Sequence, residues 1–294
     1  MFSVAVLTVQ IGVFGLFHPG HLTVRALPAQ VVMANGTPQT SVDVRLNDPP
    51  VFVTARDGEA GDFILSVPGK IERRFHGTLE ITSVAGGLIP VIAMDREYAV
   101  AAVIAAEYPD GTPLEALKAA AIVARSYYAA SPKRHAHFDF CDTTHCQFHR
   151  APPAPQHAAW QATRETEGIV LRYQNRPFAP LYSASCGGRT RTASEVGLHD
   201  DDVYPYFAVD CHSCLRRSRT WTRQIDGKVT PTEQFRLAKK IPSNNYVIEG
   251  TMLHGRGEGH GVGLCQNGAA AMVSGGASFR DILNHYYPNT TCFR

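Results

Sequence analysis

The chain has 294 residues, of which 44% are hydrophobic and 18% are charged, a composition typical of globular proteins. Its 28 Lys and Arg against 26 Asp and Glu leave a net charge of +2. This balance excludes the strongly basic field of a nucleic-acid-binding protein, so we expect no nucleic-acid partner. The sequence also has no apolar run of roughly 18 residues, the length that would span a bilayer.

The N-terminal stretch "MFSVAVLTVQIGVFGLF" carries no charged residue. It lacks the basic n-region and the A-x-A cleavage site of a secretory signal peptide. The alternation in "VAVLTVQIGVF" is typical of a β-strand. We therefore interpret this stretch as part of the folded structure.

The first ninety residues predict β-structure. Short β-branched runs such as "SVDVRL", "VFVTA", "FILSVPG" and "GTLEITSV" are separated by Gly, Pro, Asn and Asp. Residues 1–90 are therefore predicted to be a β-rich N-terminal part without a catalytic cluster. Residues 91–294 are predicted to be a core of mixed helices and strands, which makes the fold class α+β.

Alanine becomes frequent in "DREYAVAAVIAAEYPDGTPLEALKAAAIVARSYYAAS", and alanine is the best helix former. The sequence predicts one helix from Arg96 to Tyr108, which Pro109 ends because the residue before a proline avoids the helical region. A second helix is predicted to begin with a capping box, in which Thr112 caps and Glu115 lies three residues later. Near the end of the chain, "ASFRDILNHYYP" predicts a short helix capped by Ser278.

Glu107 is the carboxylate at the end of the first predicted helix, after an apolar stretch. The negative end of the helix dipole and the apolar neighbours both favour the neutral acid. A carboxyl group that is protonated near neutral pH can act as a general acid, so Glu107 is a candidate catalytic residue. The structural alternative is a helix-end glutamate that reaches water.

Histidines and cysteines are concentrated in residues 133–150, "KRHAHFDFCDTTHCQFHR". Neutral imidazole and thiolate are good zinc ligands. The spacing of His135, Cys141 and Cys146 could supply three ligands and leave the fourth position to water or to a distant side chain. A disulfide between Cys141 and Cys146 is the alternative.

Seven cysteines form an odd set, so complete disulfide pairing would leave one thiol over. Cys186 precedes a predicted glycine turn and could be a nucleophile with His260 as its base, or a small buried thiol. Cys211 and Cys214, in "VDCHSC", could form a zinc half-site or a redox pair.

Glycine occupies every second position from Gly255 to Gly263. Alternating glycines would leave bare backbone on one face of an extended segment, so that a flat sugar ring could approach closely. His260 and Gln266 would then supply hydrogen bonds. The alternative is close packing of a turn against the following helix. A dinucleotide loop is not expected, because no βαβ unit with a suitably spaced acidic residue surrounds it.

Five stretches occur in this order along the chain: "AAEYPDGTPLEALKAAAIVARSYYAAS", "FDFCDTTHCQ", "LYSASCGGRT", "YPYFAVDC" and "GHGVGLCQNGAAAMVSGGASFRDILNHYYP". In this order they resemble the SpoIID/LytB domain family, named for stage II sporulation protein D and a cell-wall amidase enhancer protein. The resemblance spans about residues 90–292. The chain departs from the family pattern at Tyr108, where methionine is frequent, and at Cys265, where serine is frequent.

The resemblance implies a lytic transglycosylase that cleaves peptide-free glycan strands of peptidoglycan to 1,6-anhydromuramic acid products. It implies that Glu107 is the catalytic acid/base. It also implies one zinc ion held by Cys141, Cys146 and a histidine, for which His135 is better spaced than His137. An extracytoplasmic location follows from the resemblance, because peptidoglycan lies outside the cytoplasm.

The residues predicted to contact the glycan are Tyr182, Ser183, Gly187, Gly188, Thr190, Gly259, His260, Gly261, Gly263 and Gln266. Two other functions remain open. One is a non-catalytic glycan-binding module that enhances a cell-wall amidase, as other branches of the family suggest. The other is a thiol hydrolase of the cell wall that uses Cys186 and His260. A second zinc site at Cys211 and Cys214 also remains open.

Overall fold

The computed structural model describes residues 7–198 and 203–294. Residues 1–6 of the uncharged N-terminal stretch lie outside the described residues, whereas its continuation forms a strand. The chain divides into two compact units, each made of two separate stretches. The first unit comprises Met1–Pro109 and Pro132–Arg164, and the second comprises Asp110–Ser131 and Glu165–Arg294.

Strands and helices alternate irregularly along the described residues. The strands are β1 (Thr8–Gly12), β2 (His21–Ala26), β3 (Val32–Ala34), β4 (Thr37–Gln39), β5 (Ser41–Arg45), β6 (Val51–Thr54), β7 (Gly61–Val67), β8 (Ile71–Val84), β9 (Gly87–Asp95), β10 (Phe140–Cys141), β11 (Val170–Tyr173), β12 (Arg176–Pro177), β13 (Tyr182–Ser183), β14 (Thr220–Gln224), β15 (Tyr246–Glu249), β16 (Met252–Arg256), β17 (Leu264–Cys265) and β18 (Thr290–Phe293). The helices are α1 (Arg96–Glu107), α2 (Leu114–Ala130), α3 (Ala158–Glu165), α4 (His212–Arg217), α5 (Glu233–Ala238), α6 (Gln266–Ser274) and α7 (Phe279–Tyr286).

The first unit is built on one large sheet. Its strands follow the order β10-β1-β9-β8-β6-β3-β4, and β7 joins β8 to β2, which in turn pairs with β5. The pairs are antiparallel except for β1 and β10, which run parallel. Alternate residues of β7 are buried, namely Phe63, Leu65 and Val67, as expected for a strand with one face on a core. Residue 90, where the sequence analysis divides the chain, lies within β9 and not between units.

Helix α1 is close to its predicted bounds. The carboxylate of Asp95 caps it by accepting hydrogen bonds from the backbone N–H groups of Glu97 and Tyr98, at 2.8 and 3.2 Å. Residues Ala99–Ile104 are all buried. The helix ends at Glu107, and Tyr108 is extended, as expected for the residue before a proline.

Helix α2 begins differently from its prediction. It starts at Leu114 with Pro113 in the cap position, and no side chain caps it, so the predicted Thr112 capping box is wrong. The Glu115 carboxylate is bound elsewhere: Lys118 Nζ lies 2.7 Å from one oxygen, and the backbone N–H of Phe279 donates to the other at 2.8 Å. A carboxylate with these partners does not complete a capping box.

The second unit surrounds α2. This helix is buried along most of its length and contacts α6, α7 and β11. Three small sheets complete this part of the described chain: β12-β11-β18, the parallel pair β13-β17, and β14-β16-β15. A main core includes Ile122, Leu171 and Ile282, and a smaller one forms around Trp221 and Leu253. The fold class is α+β, as predicted.

None of the helices in residues 7–198 and 203–294 combines the length and the apolar character that a membrane crossing requires.

Candidate functional site

Glu107 is the last residue of α1 and is half-buried. Its neighbour Tyr108 is buried, with 7% of its surface exposed. The turn from helix to extended chain at Tyr108 therefore makes Glu107 the C-terminal residue of the helix. This is the position that the sequence analysis predicts for it.

Four side chains that could hold a metal ion meet in the first unit, and we call them the first cluster: His135, Cys141, His145 and Cys146. His135 Nε2 lies 3.3 Å from Cys146 Sγ, and His145 Nδ1 lies 3.7 Å from Cys141 Sγ and 3.5 Å from Cys146 Sγ. All four ligand atoms lie within 4.8 Å of one another. The two cysteines are not joined by a disulfide.

These separations fit one tetrahedral ion. With Zn–S of about 2.3 Å and Zn–N of about 2.0–2.1 Å, tetrahedral angles give S···N separations of about 3.6 Å. The observed S···N separations of 3.3 to 3.7 Å lie on both sides of that value. His145 takes the position that the sequence analysis left to water or a distant side chain. His137 is exposed and does not belong to the cluster.

The pKa values of the two thiols of the first cluster are shifted in opposite directions. The S–H of Cys146 and the hydroxyl of Thr143, 3.2 Å away, donate to Cys141 and lower the pKa of Cys141 to about 3. The hydrogen bond to Cys141 in turn raises the pKa of Cys146. Thiolate is the form that binds metal, so the lowered pKa of Cys141 favours metal binding.

The backbone beside the first cluster is held by the main sheet. Cys141 pairs with Gly12 of β1, and the next residue, Asp142, is buried. One carboxylate oxygen of Asp142 accepts from the Phe14 N–H and from Arg73, both at 3.3 Å. These bonds tie the loop of the cluster to the core of the first unit.

The glycine-rich segment in the second unit is not an extended strand with a bare face. Four alternate glycines have φ between 71° and 92°, in the left-handed region, namely Gly257, Gly259, Gly261 and Gly263. A Cβ on Gly257 would collide with Ser185 O, and a Cβ on Gly263 would collide with Leu181 O. The alternation therefore serves close packing against residues 181–187 and not against the following helix, so the predicted extended segment with a bare face is not formed. Contact of these residues with a glycan stays a prediction.

The polar residues predicted to contact the glycan lie around this packed segment. His260 Nδ1 accepts from the Val262 N–H at 3.0 Å, and burial is the main cause that lowers the pKa of His260. Thr190 is buried and exchanges hydrogen bonds with the backbone of Val209. Its hydroxyl is thus used within the fold.

Three further members of the predicted set lie on the parallel pair β13-β17 and on α6. Tyr182 and Ser183 pair with Leu264 and Cys265, and Gln266 is the first residue of α6. Ser183 Oγ and Gln266 Nε2 are buried and have no hydrogen-bond partner among the described residues. Buried polar atoms of this kind call for a water or a ligand.

The second unit also contains a cleft of about 870 Å³. Gly187 and Gly188 line it, as do the aromatic residues Trp221 and Tyr246 of β14 and β15. Its volume lies within the usual range for ligand sites. Of the residues that line it, only the two glycines belong to the set predicted to contact the glycan. The aromatic walls are missed because β14 and β15 lie far from the turn in sequence.

Cys186 lies in a group of four buried cysteines, with Cys211, Cys214 and Cys265. The neighbouring thiols Cys211 and Cys214 are the main cause that raises the pKa of Cys186. A cysteine nucleophile needs the opposite shift, because the thiolate is the reactive form. These contacts do not support a Cys186–His260 thiol hydrolase.

Comparison with known proteins gives a family for the middle of the chain. Residues 85–173 match the family model of SpoIID, described as Stage II sporulation protein. The match supports assignment of these residues to the SpoIID family. An uncharacterized protein of Brachyspira hyodysenteriae is 27% identical over 263 residues, which cover 72% of this chain and 70% of that protein. The SpoIID match indicates a sporulation- or cell-wall-related protein, of a family associated with cell-wall enzyme activity.

The SpoIID match contains Glu107 and the whole first cluster. The glycine-rich segment, the cleft and the four buried cysteines follow the matched residues in sequence. His145 is the ligand candidate that the sequence analysis did not single out. Its signal is visible in "CDTTHC", where it directly precedes Cys146 and lies four residues after Cys141.

Proposed function

We propose that the chain is a lytic transglycosylase that cleaves the glycan strands of peptidoglycan, with Glu107 as its acid/base. The observation that carries the proposal is the SpoIID match, within which Glu107 is the half-buried last residue of α1. A carboxyl group in this position can donate and accept a proton at the edge of the fold without being fully solvated.

One carboxyl group is sufficient for this reaction. Glu107 protonates the glycosidic oxygen as the bond to the anomeric carbon breaks. The resulting carboxylate then takes the proton from the 6-hydroxyl of the same muramic acid, whose oxygen attacks the anomeric carbon. The product carries a 1,6-anhydro ring, and no water is consumed. Attack within one sugar gains the effective-molarity advantage of intramolecular reactions, whereas hydrolysis usually requires a second carboxylate.

The first cluster fits a structural zinc ion. Two cysteines and two histidines at tetrahedral separations would fill the four positions of the metal. A closed site has no position for a reactive water, so we assign the ion to stability and not to the chemical step. Its expected effect is to hold the loop between α2 and α3 against the sheet.

The proposed substrate is the peptide-free glycan strand, which implies an extracytoplasmic location. Ser183 Oγ and Gln266 Nε2, the buried atoms without protein partners, are suited to hydroxyl or N-acetyl groups of the sugar.

The decisive test is mass spectrometry of the products formed from peptide-free glycan strands. We expect fragments ending in 1,6-anhydromuramic acid from the wild-type protein. Glu107→Gln should lower the rate at least about 10²-fold, the usual contribution of a general acid or base, with an unchanged melting temperature. Glu97→Gln, at the other end of α1, is the matched control and should retain activity. Fragments with ordinary reducing ends would contradict the transglycosylase reaction.

A second candidate function is a non-catalytic glycan-binding module that assists a cell-wall amidase. The cleft favours it, because the half-buried Tyr246 offers apolar surface to a sugar ring while Arg189 and His254 offer hydrogen bonds. Glycan binding without any cleaved product, together with a faster amidase reaction, would select this function.

A further inference from the structure

Four cysteines from three separate parts of the second unit meet in its interior, and we call them the second cluster. Cys186 follows β13, Cys211 and Cys214 lie at the start of α4, and Cys265 ends β17 and caps α6. Each side chain is at most 4% exposed, and the four sulfurs lie within 4.8 Å of one another. None of the four is in a disulfide.

The sulfur separations fit a mononuclear tetrathiolate site. Four sulfurs at about 2.3 Å from one zinc ion lie about 3.8 Å apart in a tetrahedron. The distance between Cys214 Sγ and Cys265 Sγ is 3.3 Å, and the limit of 4.8 Å bounds the others. A disulfide would require about 2.0 Å, so these sulfurs surround a point and are not bonded in pairs.

Hydrogen-bond donors surround the second cluster. The backbone N–H groups of Cys186 and Gly268 donate to Cys265 Sγ, at 3.3 and 3.4 Å. The hydroxyl of Tyr286 lies 3.4 Å from Cys211 Sγ, and that of Ser185 lies 3.7 Å from Cys214 Sγ. Donors around sulfur stabilise thiolate, and such outer bonds orient the ligands of metal sites.

One glycine keeps space for this arrangement. A Cβ on Gly268 would collide with the hydroxyl of Tyr286 and would reach 2.5 Å from Cys211 Sγ. Glycine at this position therefore leaves space beside Cys211 Sγ for the close approach of Tyr286.

We propose that Cys186, Cys211, Cys214 and Cys265 bind a second, structural zinc ion as a closed tetrathiolate site. Sulfur-only tetrahedral ligation selects zinc or iron, and zinc needs no redox partner. The proposal also explains the odd number of cysteines. Two belong to the first cluster, four belong to the second, and the exposed Cys292 is the seventh.

The second zinc would fix one wall of the cleft. Gly187 and Gly188 follow Cys186 directly, while Asp210 and His212 flank Cys211, and all four line the cleft. The ion would join β13, α4 and α6 where short elements alone give little rigidity. This inference does not depend on the catalytic proposal, because it concerns a structural site.

The first test is the zinc content and X-ray absorption spectrum of the full-length wild-type protein, purified without chelator. We expect two zinc ions per chain, with three sulfurs and one nitrogen per zinc on average, since the clusters supply two and four sulfurs. One zinc ion with two sulfurs and two nitrogens, no zinc at all, or a mass that shows disulfides within the second cluster would each overturn the proposal.

Variants separate the two sites. Cys141→Ser with Cys146→Ser should leave one zinc ion bound by four sulfurs at about 2.3 Å. Cys211→Ser with Cys214→Ser should lose that ion, and Cys292→Ser is the matched control that should keep both. A folded first-cluster variant that binds no zinc would overturn the proposal without affecting the question of glycan cleavage.

Discussion

Pro109 determines that Glu107 is the last residue of α1. Because the residue before proline avoids the helical region, Tyr108 adopts φ of −118° and ψ of 135°, and α1 ends at Glu107. The candidate acid therefore owes its position to a neighbour two residues away. Such local effects are visible in sequence, which is why α1 is predicted to within one residue of its end.

His149 makes the stability of the first unit depend on pH. Its side chain is fully buried, and burial together with the positive charge of Arg73 lowers its pKa from 6.5 to about 4. Above pH 6.5 the folded and unfolded chains both hold it neutral. As the pH falls from 6.5 towards 4, the unfolded chain binds the proton more readily, so stability is lost, by about 3 kcal/mol in total.

Urea unfolding measured across this pH window tests the expectation. His149→Gln should flatten the decline relative to the wild-type protein. His18→Asn removes an exposed histidine whose φ of 43° suits asparagine, and it should retain the full decline. Equal slopes for His149→Gln and the wild-type protein would contradict the assignment.

Among the helices, α7 shows how a local signal is realised. Ser278 Oγ accepts from the Asp281 N–H at 3.3 Å, and the Asp281 carboxylate accepts from the Ser278 N–H at 2.8 Å, which completes the capping box. The cap predicted from "ASFRD" is confirmed. The cap predicted for α2 is wrong, because Glu115 binds Phe279, 164 positions later in the chain.

Ser278→Ala should lower the free energy of unfolding by about 1 kcal/mol, because one or more N–H groups of the first turn lose their acceptor. Thermal or urea denaturation measures the change. Ser274→Ala is the control, since that exposed hydroxyl makes only a 3.5 Å bond to Ala270 O within its own helix. An equally large loss of unfolding free energy in Ser274→Ala would show that the capping box makes no specific contribution to stability.

For the molecule as a whole, the sequence predicts individual helices and strands better than it predicts which of them contact one another. The α+β class, the strands of the first ninety residues and the candidate ligands Cys141 and Cys146 follow from patterns a few residues long. The second cluster does not, because Cys186 and Cys265 are 79 positions apart and meet only through the pairing of β13 with β17. The role of the alternating glycines is not predictable either, because the residues against which they pack, 181–187, are distant in sequence.

The two clusters also predict how the molecule responds to metal removal. Cys146→Ser should lose one zinc ion and lower the melting temperature by several degrees, since about 1 kcal/mol corresponds to about 2–4 °C in a chain of this size class and structural zinc contributes more than that. Cys292→Ser, which changes an exposed cysteine outside both clusters, should melt as the wild-type protein does. Calorimetry of metal-loaded samples measures the melting temperatures. Equal melting temperatures of both variants would contradict a structural ion in the first cluster.

Each unit is made of two stretches that alternate along the chain, so the order of translation limits when each unit can fold. Residues Pro132–Arg164 complete the first unit, but they are translated after Asp110–Ser131, which already belong to the second. A nascent chain that has emerged only as far as Pro109 still lacks β10, the first cluster and α3. Neither unit has all of its helices and strands until residue 164 has been translated. Helix α2 also packs against elements that are translated last, including α7. Folding of the two units is therefore tied to late translation, and no single cut in the gene separates them.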